Sequence, residues 1–271
     1  MKYQPQKIFL AIKGFGDFFI LANFLRDAQD KKNIQLIASR RFSGWAKLFI
    51  PDIKTHWVAF DGFPAFYDLK RFRFKDLLAD LKILLTIRAI IKNNDATLHL
   101  DFKNIKDQCL FINIKKSYIA NQGNLYLGFT KLFQSQKTII IKSQPKIIYI
   151  FPKGSYAAKV ISETNLILIC HALMKVKIKV RVVLNPSEIN FYPNLEENLI
   201  KTYQNAGALK SLMSDCDAIL TTDTASLHLA ILLGKLFFVW GPYDKRMLPV
   251  FIDQRYLVKD LNELSKLTNY Q

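Results

Sequence analysis

Short apolar runs alternate along this chain with longer stretches whose apolar positions return every three or four residues. Lys7–Ile12, Ile34–Ala38, Trp57–Phe60 and Thr97–Phe102 are rich in strand-forming residues. Phe18–Gln29, Phe42–Phe49, Lys75–Lys92, Asn104–Ile112 and Asn121–Phe133 carry the helical spacing. Gln134–Pro145, polar at both ends and closed by proline, interrupts the pattern. It then restarts with a strand at Lys146–Phe151, a helix at Ser162–Met174 and a strand at Lys177–Leu184. Helices are predicted at Leu195–Gln204, Leu209–Cys216, Leu227–Leu233 and Leu261–Leu267, with strands at Ala218–Thr222 and Leu236–Trp240. Strand–helix alternation requires parallel sheets with helical crossovers. The pattern therefore predicts an α/β protein of two domains, residues 1–135 and 146–271, joined by the polar linker.

Composition narrows the class. At 271 residues and 50% hydrophobic, the chain can build two cores of ordinary size. Cys109, Cys170 and Cys216 are scattered, so neither a disulfide framework nor a zinc site is expected, and a reducing, cytoplasmic compartment is. Lys13 cuts short the first apolar run, which suits a strand better than a secretory signal, and no run reaches the ~18 apolar residues of a spanning helix. A formal charge of +17 calls for an acidic partner: nucleic acid, anionic lipid or a phosphorylated substrate. Charge alone does not choose among them, and abundant Lys, Ile and Asn also fit a biased encoding composition.

The candidate chemistry lies where strands give way to helices. In Ser214–Pro242, the strand Ala218–Thr222 meets the apolar helix through Asp223-Thr224-Ala225-Ser226, and Gly234 closes that helix before the next strand. Free N–H groups at such a helix start hold an anion, usually phosphate. Singly, Asp223 and Thr224 also suit an N-cap, and His228 a packed core histidine. Ser155 and Lys159, four residues apart after the strand Lys146–Phe151, can both reach one phosphate. Glu188, beyond another strand, can accept ribose hydroxyls or cap a helix. Asp215-Cys216-Asp217 has the spacing of a metal-binding pair, yet it precedes its strand and reads as a turn at the sheet's amino end. In Phe63–Phe74, aromatics interleave with Lys70, Arg71 and Arg73, which suits an acceptor cleft, an anionic membrane surface or a loop folded over the core.

Asp223-Thr224-Ala225-Ser226-Leu227-His228-Leu229-Ala230, followed by Leu233-Gly234-Lys235 and Trp240-Gly241-Pro242, resembles the nucleotide-binding signature of glycosyltransferase family nine, the bacterial heptosyltransferases of lipopolysaccharide synthesis. The loop of Ser155 and Lys159 is similar to the family's second signature, and Gly16-Asp17 before an apolar helix to its beginning. The departures are Ala225 and Lys153 where the family has Gly, Val160-Ile161 in place of Trp-Pro, and no Pro near Asn23. The resemblance implies the GT-B fold, two Rossmann-like domains facing across a cleft. It implies inverting, metal-independent transfer of a sugar, with ADP-heptose as the family's commonest donor, to a lipid-linked glycan acceptor at the inner face of the cytoplasmic membrane, with no cofactor. Asp17 would be the general base, with Ser155, Lys159, Glu188, Asp223, Thr224, Ala225 and His228 on the donor and Lys70, Arg71 and Arg73 toward the acceptor. Two alternatives use the same residues: a family-derived nucleotide-sugar-binding protein without catalysis, and a basic protein stacking its aromatics on single-stranded nucleic acid.

Overall fold

A computed structural model describes residues 6–59, 74–120, 123–134, 145–154, 159–249 and 254–268. The chain divides into two compact units, Met1–Gln136 and Lys137–Gln271. The first is a five-stranded sheet of β1 (Lys7–Ala11), β2 (Ile34–Ser39), β3 (Lys54–Val58), β4 (Thr97–Leu100) and β5 (Lys116–Tyr118), in the order β3-β2-β1-β4-β5 and parallel throughout. Side chains alternate between its faces. Ile8, Ile37, Leu98 and Leu100 pack with Leu84, Ile87 and Ile91 of α3 (Phe74–Asn93) and with Phe111 beyond α4 (Ile105–Leu110). On the other face, Phe9 meets Phe129 and Phe133 of α5 (Leu125–Phe133), and Phe24 of α1 (Phe15–Leu25) stacks on both. Helix α2 (Ser43–Phe49) precedes β3.

The second unit holds a six-stranded parallel sheet. Its strands are β6 (Ile147–Phe151), β7 (Lys179–Leu184), β8 (Ile200–Thr202), β9 (Ala218–Thr221), β10 (Leu236–Trp240) and β11 (Leu257–Val258), ordered β11-β10-β9-β6-β7-β8. Its helices are α6 (Glu163–Lys175), α7 (Ala206–Ser214) and α8 (Ala225–Leu232). Strands β9 and β10 are buried at every position, as central parallel strands covered on both faces must be. In each unit the first strand has its successor on one side and, after the chain reverses direction, a later strand on the other. These switch points lie between β1 and β4 and between β6 and β9. There the loops at the carboxyl ends part, which is where open α/β sheets bind ligands.

Four expectations need correction. Helix α1 starts at Phe15, with Gly14 as its extended N-cap, so Asp17 lies inside the first turn rather than before the helix. β3 ends at Val58, because its pairing with β2 runs from Gln35↔Lys54 to Ser39↔Val58 and draws polar residues into the strand. The helix expected at Leu195–Gln204 is a 3-10 turn, Glu197–Leu199, followed by the edge strand β8; the four-residue spacing of Leu195 and Leu199 imitates helical periodicity. Leu261–Leu267 is likewise a 3-10 helix.

Candidate functional site

In the second unit, the loops after β6 and β9 meet. Lys159 Nζ lies 2.8 Å from Asp223 Oδ2, and the Asp223 side chain is only 2% exposed. The same oxygen accepts the Asp244 N–H at 2.9 Å. Thr222 Oγ1 donates to the Lys159 carbonyl at 3.0 Å, tying the two loops together through the backbone as well. Gly154 permits the approach: a Cβ there would stand 2.5 Å from Thr224 Cγ2 and 2.6 Å from the Lys159 carbonyl oxygen. Any side chain would force the loops apart.

The N-cap of α8 is Thr224, not Asp223, and Thr224 does not cap with its side chain. Its hydroxyl donates to the Thr222 carbonyl at 3.3 Å. The start of α8, at Ala225, therefore receives no side-chain oxygen from its own cap and presents the positive end of the helix beside an ammonium. His228, one turn in, is buried, and burial pushes its imidazole down to about 4; Lys159 pushes the same way and Asp223 opposes. His228 is thus a neutral packing partner of the pair. Farther off, Glu188 Oε2 accepts the Asn185 N–H at 2.9 Å and caps the 3-10 helix Pro186–Phe191. Lys153 lays its ammonium 3.2 Å from the centroid of the Phe191 ring, so this departure from the family pattern joins the loops after β6 and β7. Asp217 accepts the N–H groups of Lys146 and Ile147 at 2.8 and 2.9 Å, pinning the amino ends of the strands.

The first unit places a charged cluster at its own switch point. Asp17 Oδ2 accepts the Gly14 N–H at 3.1 Å, closing the turn after β1 on itself. Burial raises the Asp17 carboxyl above the usual carboxylate range, while Lys13, the Gly14 amide and Arg41 pull it back. Arg41 donates to the Lys13 carbonyl and stands 4.8 Å over the Phe42 ring. Lys13 Nζ lies 3.9 Å from Asp101, just beyond β4, and 3.7 Å from the fully buried Asp107. Asp107 is held by Asn104, which receives its N–H at 2.8 Å and donates to its carboxylate. Asp101 is pushed up to about 7, first by burial and then by Asp17 and Asp107, with Lys13 opposing.

Such a carboxyl favours the unfolded chain as pH rises. Its folded value is raised, so its contribution to stability is complete below about 4, the ordinary Asp value, and is lost by the time pH passes the folded value near 7. Asp101→Asn should therefore unfold at higher urea than wild type at about pH 8, by up to ~4 kcal/mol, with the gap closing toward pH 4. Parallel stability–pH curves for the two proteins would remove Asp101 from this role.

Of the residues expected from sequence, Lys159, Asp223, Thr224, Ala225 and His228 come together at the second switch point. Glu188 lies beyond β7 in the same unit, and Asp17 at the first switch point. Ser155 and the segment of Lys70, Arg71 and Arg73 lie outside the described residues. Lys13, Arg41 and Asp101 were missed. The signal that finds two of them is positional: each lies within two residues of the carboxyl end of one of the two strands flanking a switch point, Lys13 after β1 and Asp101 after β4.

No protein-family model matches the sequence, and no curated protein does. The structure is similar to that of the E. coli heptosyltransferase WaaC with ADP, at 16% identity and a TM-score of 0.63 over 97% of this chain and 96% of that one. It is also similar to the glycosyl transferase family 9 protein from Veillonella parvula, at 11% identity and a TM-score of 0.62 over 100% and 93%. The UDP-GlcNAc 2-epimerase from Neisseria meningitidis bound to UDP-GlcNAc gives 12% identity and a TM-score of 0.57 over 98% and 95%. With its two parallel-sheet units, the chain has the GT-B fold of two Rossmann-like domains.

Proposed function

We propose that the chain is a glycosyltransferase that moves a sugar, with heptose carried on ADP as the first donor to try, to a hydroxyl of a lipid-linked glycan. The second unit holds the nucleotide and the first the acceptor. The observation that carries this reading is the Lys159–Asp223 pair beside the start of α8. A buried carboxylate fixed by two hydrogen bonds orients the ammonium, and the helix start adds partial positive charge where a diphosphate leaving group would gather its negative charge. Asp17 accepts the proton of the acceptor hydroxyl as its oxygen forms the bond to the anomeric carbon. The bond to the diphosphate breaks on the opposite face, which inverts the centre, and the charge passes to the diphosphate against Lys159 and the amides of Thr224 and Ala225. Positive charge from lysine and helix is the basis for proposing that no metal ion is required.

The fold alone does not decide between transfer and other chemistry on nucleotide sugars, since a 2-epimerase shares it. The family-nine signature around Asp223–His228 and the position of Asp17 favour transfer. The proposed acceptor is anchored in a membrane, so the protein would work at the inner face of the cytoplasmic membrane; among the described residues no helix is long and apolar enough to cross it. A screen of ADP, UDP and GDP by thermal unfolding is the direct test. A nucleotide present at ~100 times its Kd should stabilise the fold by about 2.7 kcal/mol, raising Tm by a few degrees. If no nucleoside diphosphate moves Tm, the donor site is misassigned. If one does and no sugar reaches any glycan acceptor, the non-catalytic alternative replaces transfer.

A further inference from the structure

Helix α3 is apolar on two sides. Leu84, Ile87 and Ile91 enter the core against the sheet, while Leu78, Leu81 and Leu85, spaced three and four residues apart, line the outward side. Leu78 and Leu85 are exposed over 50% and 65% of their surface and Leu81 over 39%. Arg88, one turn beyond Leu85 on the same flank, donates from both guanidinium arms to the carbonyls of Leu110 at 2.6 Å and Ile112 at 3.0 Å, which ties α3 to the end of α4. Ile112, at that tie, is 58% exposed, and Ile105, the first residue of α4, is 76% exposed. The stripe of α3 thus continues toward α4, on the side of the sheet opposite α1 and α5.

A single exposed leucine is ordinary, but a line of them along one side of a helix marks a contact with something apolar. A helix that turns leucine both toward the core and away from it needs a cover on its outer side. The charges around the stripe decide what that cover is. Across residues 78–116 the exposed charged side chains are Lys82, Lys92, Lys103 and Lys115, against Asp95 alone. Lys82 and Lys92 lie on the outward arc of α3, at the edges of the leucine stripe. Two copies meeting through this face would set like charges together. An apolar centre with a cationic border instead matches the interface of an anionic bilayer, where leucines enter the acyl boundary and lysines reach the headgroups on their long stems.

We propose that the outward face of α3, extended by Ile105 and Ile112, docks on anionic lipid bilayers, with Leu78, Leu81 and Leu85 in the interface and Lys82 and Lys92 on the lipid phosphates. The contact is peripheral, since among the described residues no helix is long and apolar enough to cross a membrane. It deepens the reading of a membrane-anchored acceptor, and rests on that reading for which membrane is bound: it brings the first unit, where the acceptor is assigned, to the lipid surface. None of Asp17, Lys159 or Asp223 belongs to this face, so docking and nucleotide binding can be tested apart.

Sedimentation of the full chain with vesicles of phosphatidylglycerol and phosphatidylcholine in equal parts, against phosphatidylcholine alone, tests it without nucleotide or acceptor. The protein should bind the anionic vesicles about tenfold or more tightly than the neutral ones, and added salt should narrow the gap. Leu81→Gln combined with Leu85→Gln should weaken binding about tenfold or more at constant charge, and Lys82→Gln combined with Lys92→Gln several-fold. All four side chains are exposed, so Tm should hold in both variants, and Leu168→Gln, at an exposed leucine of α6 in the second unit, should bind as wild type does. Undiminished binding by the leucine variant would assign adsorption to net charge and overturn the docking face. No binding to the anionic vesicles, or equal binding to both kinds, would overturn it too. A wild-type dimer that the leucine variant dissociates would show that a second copy covers the face instead. A chain that docks as expected yet gains no stability from any nucleoside diphosphate would keep this face and discard the donor site.

Discussion

Lys159→Ala should destabilise the second domain by roughly 2–4 kcal/mol in urea unfolding and remove most of the stabilisation given by a nucleoside diphosphate. The first effect follows from which partner is buried. Asp223 is almost wholly enclosed, whereas the Lys159 side chain is 31% exposed. Truncating the lysine leaves a buried carboxylate with, among the described residues, the Asp244 N–H as its remaining hydrogen-bond donor, and an uncompensated buried charge is far more costly than a lost surface ion pair. The reverse substitution should be milder. In Asp223→Asn the lysine can reach water, and the Asn carbonyl can still accept from Asp244, so a cost of about 1 kcal/mol is expected. Nucleotide affinity should fall in both, through loss of charge in one and loss of orientation in the other. Equal stability costs would refute the asymmetric pair; an unchanged nucleotide affinity in Lys159→Ala would take the lysine out of the site.

How far the chain discloses this arrangement depends on the distance over which each feature is encoded. Strands buried on both faces, such as β9 and β10, read as unbroken apolar runs because nothing polar is tolerated there. The helix starts at Ser162 and Asn104 were legible because these side chains accept amide hydrogens of their own first turns, whereas Asn124 and Asn205 do the same for helices expected to begin at Asn121 and Leu209. The short strands β5, β8 and β11 carry no such mark. Two or three residues cannot display alternation, and what makes them strands is the neighbour that pairs with them. The site divides in the same way. Lys159 and Asp223 are 64 residues apart, and only a motif resemblance joined them before the structure did. Asp101 and Arg41 looked like two more charges in a chain full of them. Their proximity to Asp17 comes from topology, because the strand order places β4 and β2 on either side of β1.

Asp17→Asn should lower turnover by ~100-fold or more while leaving nucleotide affinity nearly unchanged and, because it removes a carboxyl that burial has raised, without lowering Tm. The position of Asp17 makes this substitution a clean one. Its carboxylate accepts the Gly14 N–H within the first turn of α1, and the Asn carbonyl can accept the same hydrogen, so the helix start keeps its cap. What Asn cannot do is take a proton from a sugar hydroxyl. The pH dependence provides a second reading of the same group. A general base works in its ionised form, so kcat/KM should rise with pH through the Asp17 value, which burial places above the ordinary carboxylate range. Asp101 and Asp17 repel each other as anions, so Asp101→Asn should ease the ionisation of Asp17 and shift that acidic limb to lower pH. Normal turnover by Asp17→Asn would put the base elsewhere. An acidic limb that stays in place in Asp101→Asn would mean that the two carboxyl groups titrate independently and that the cluster around Lys13 serves the fold of the first domain alone.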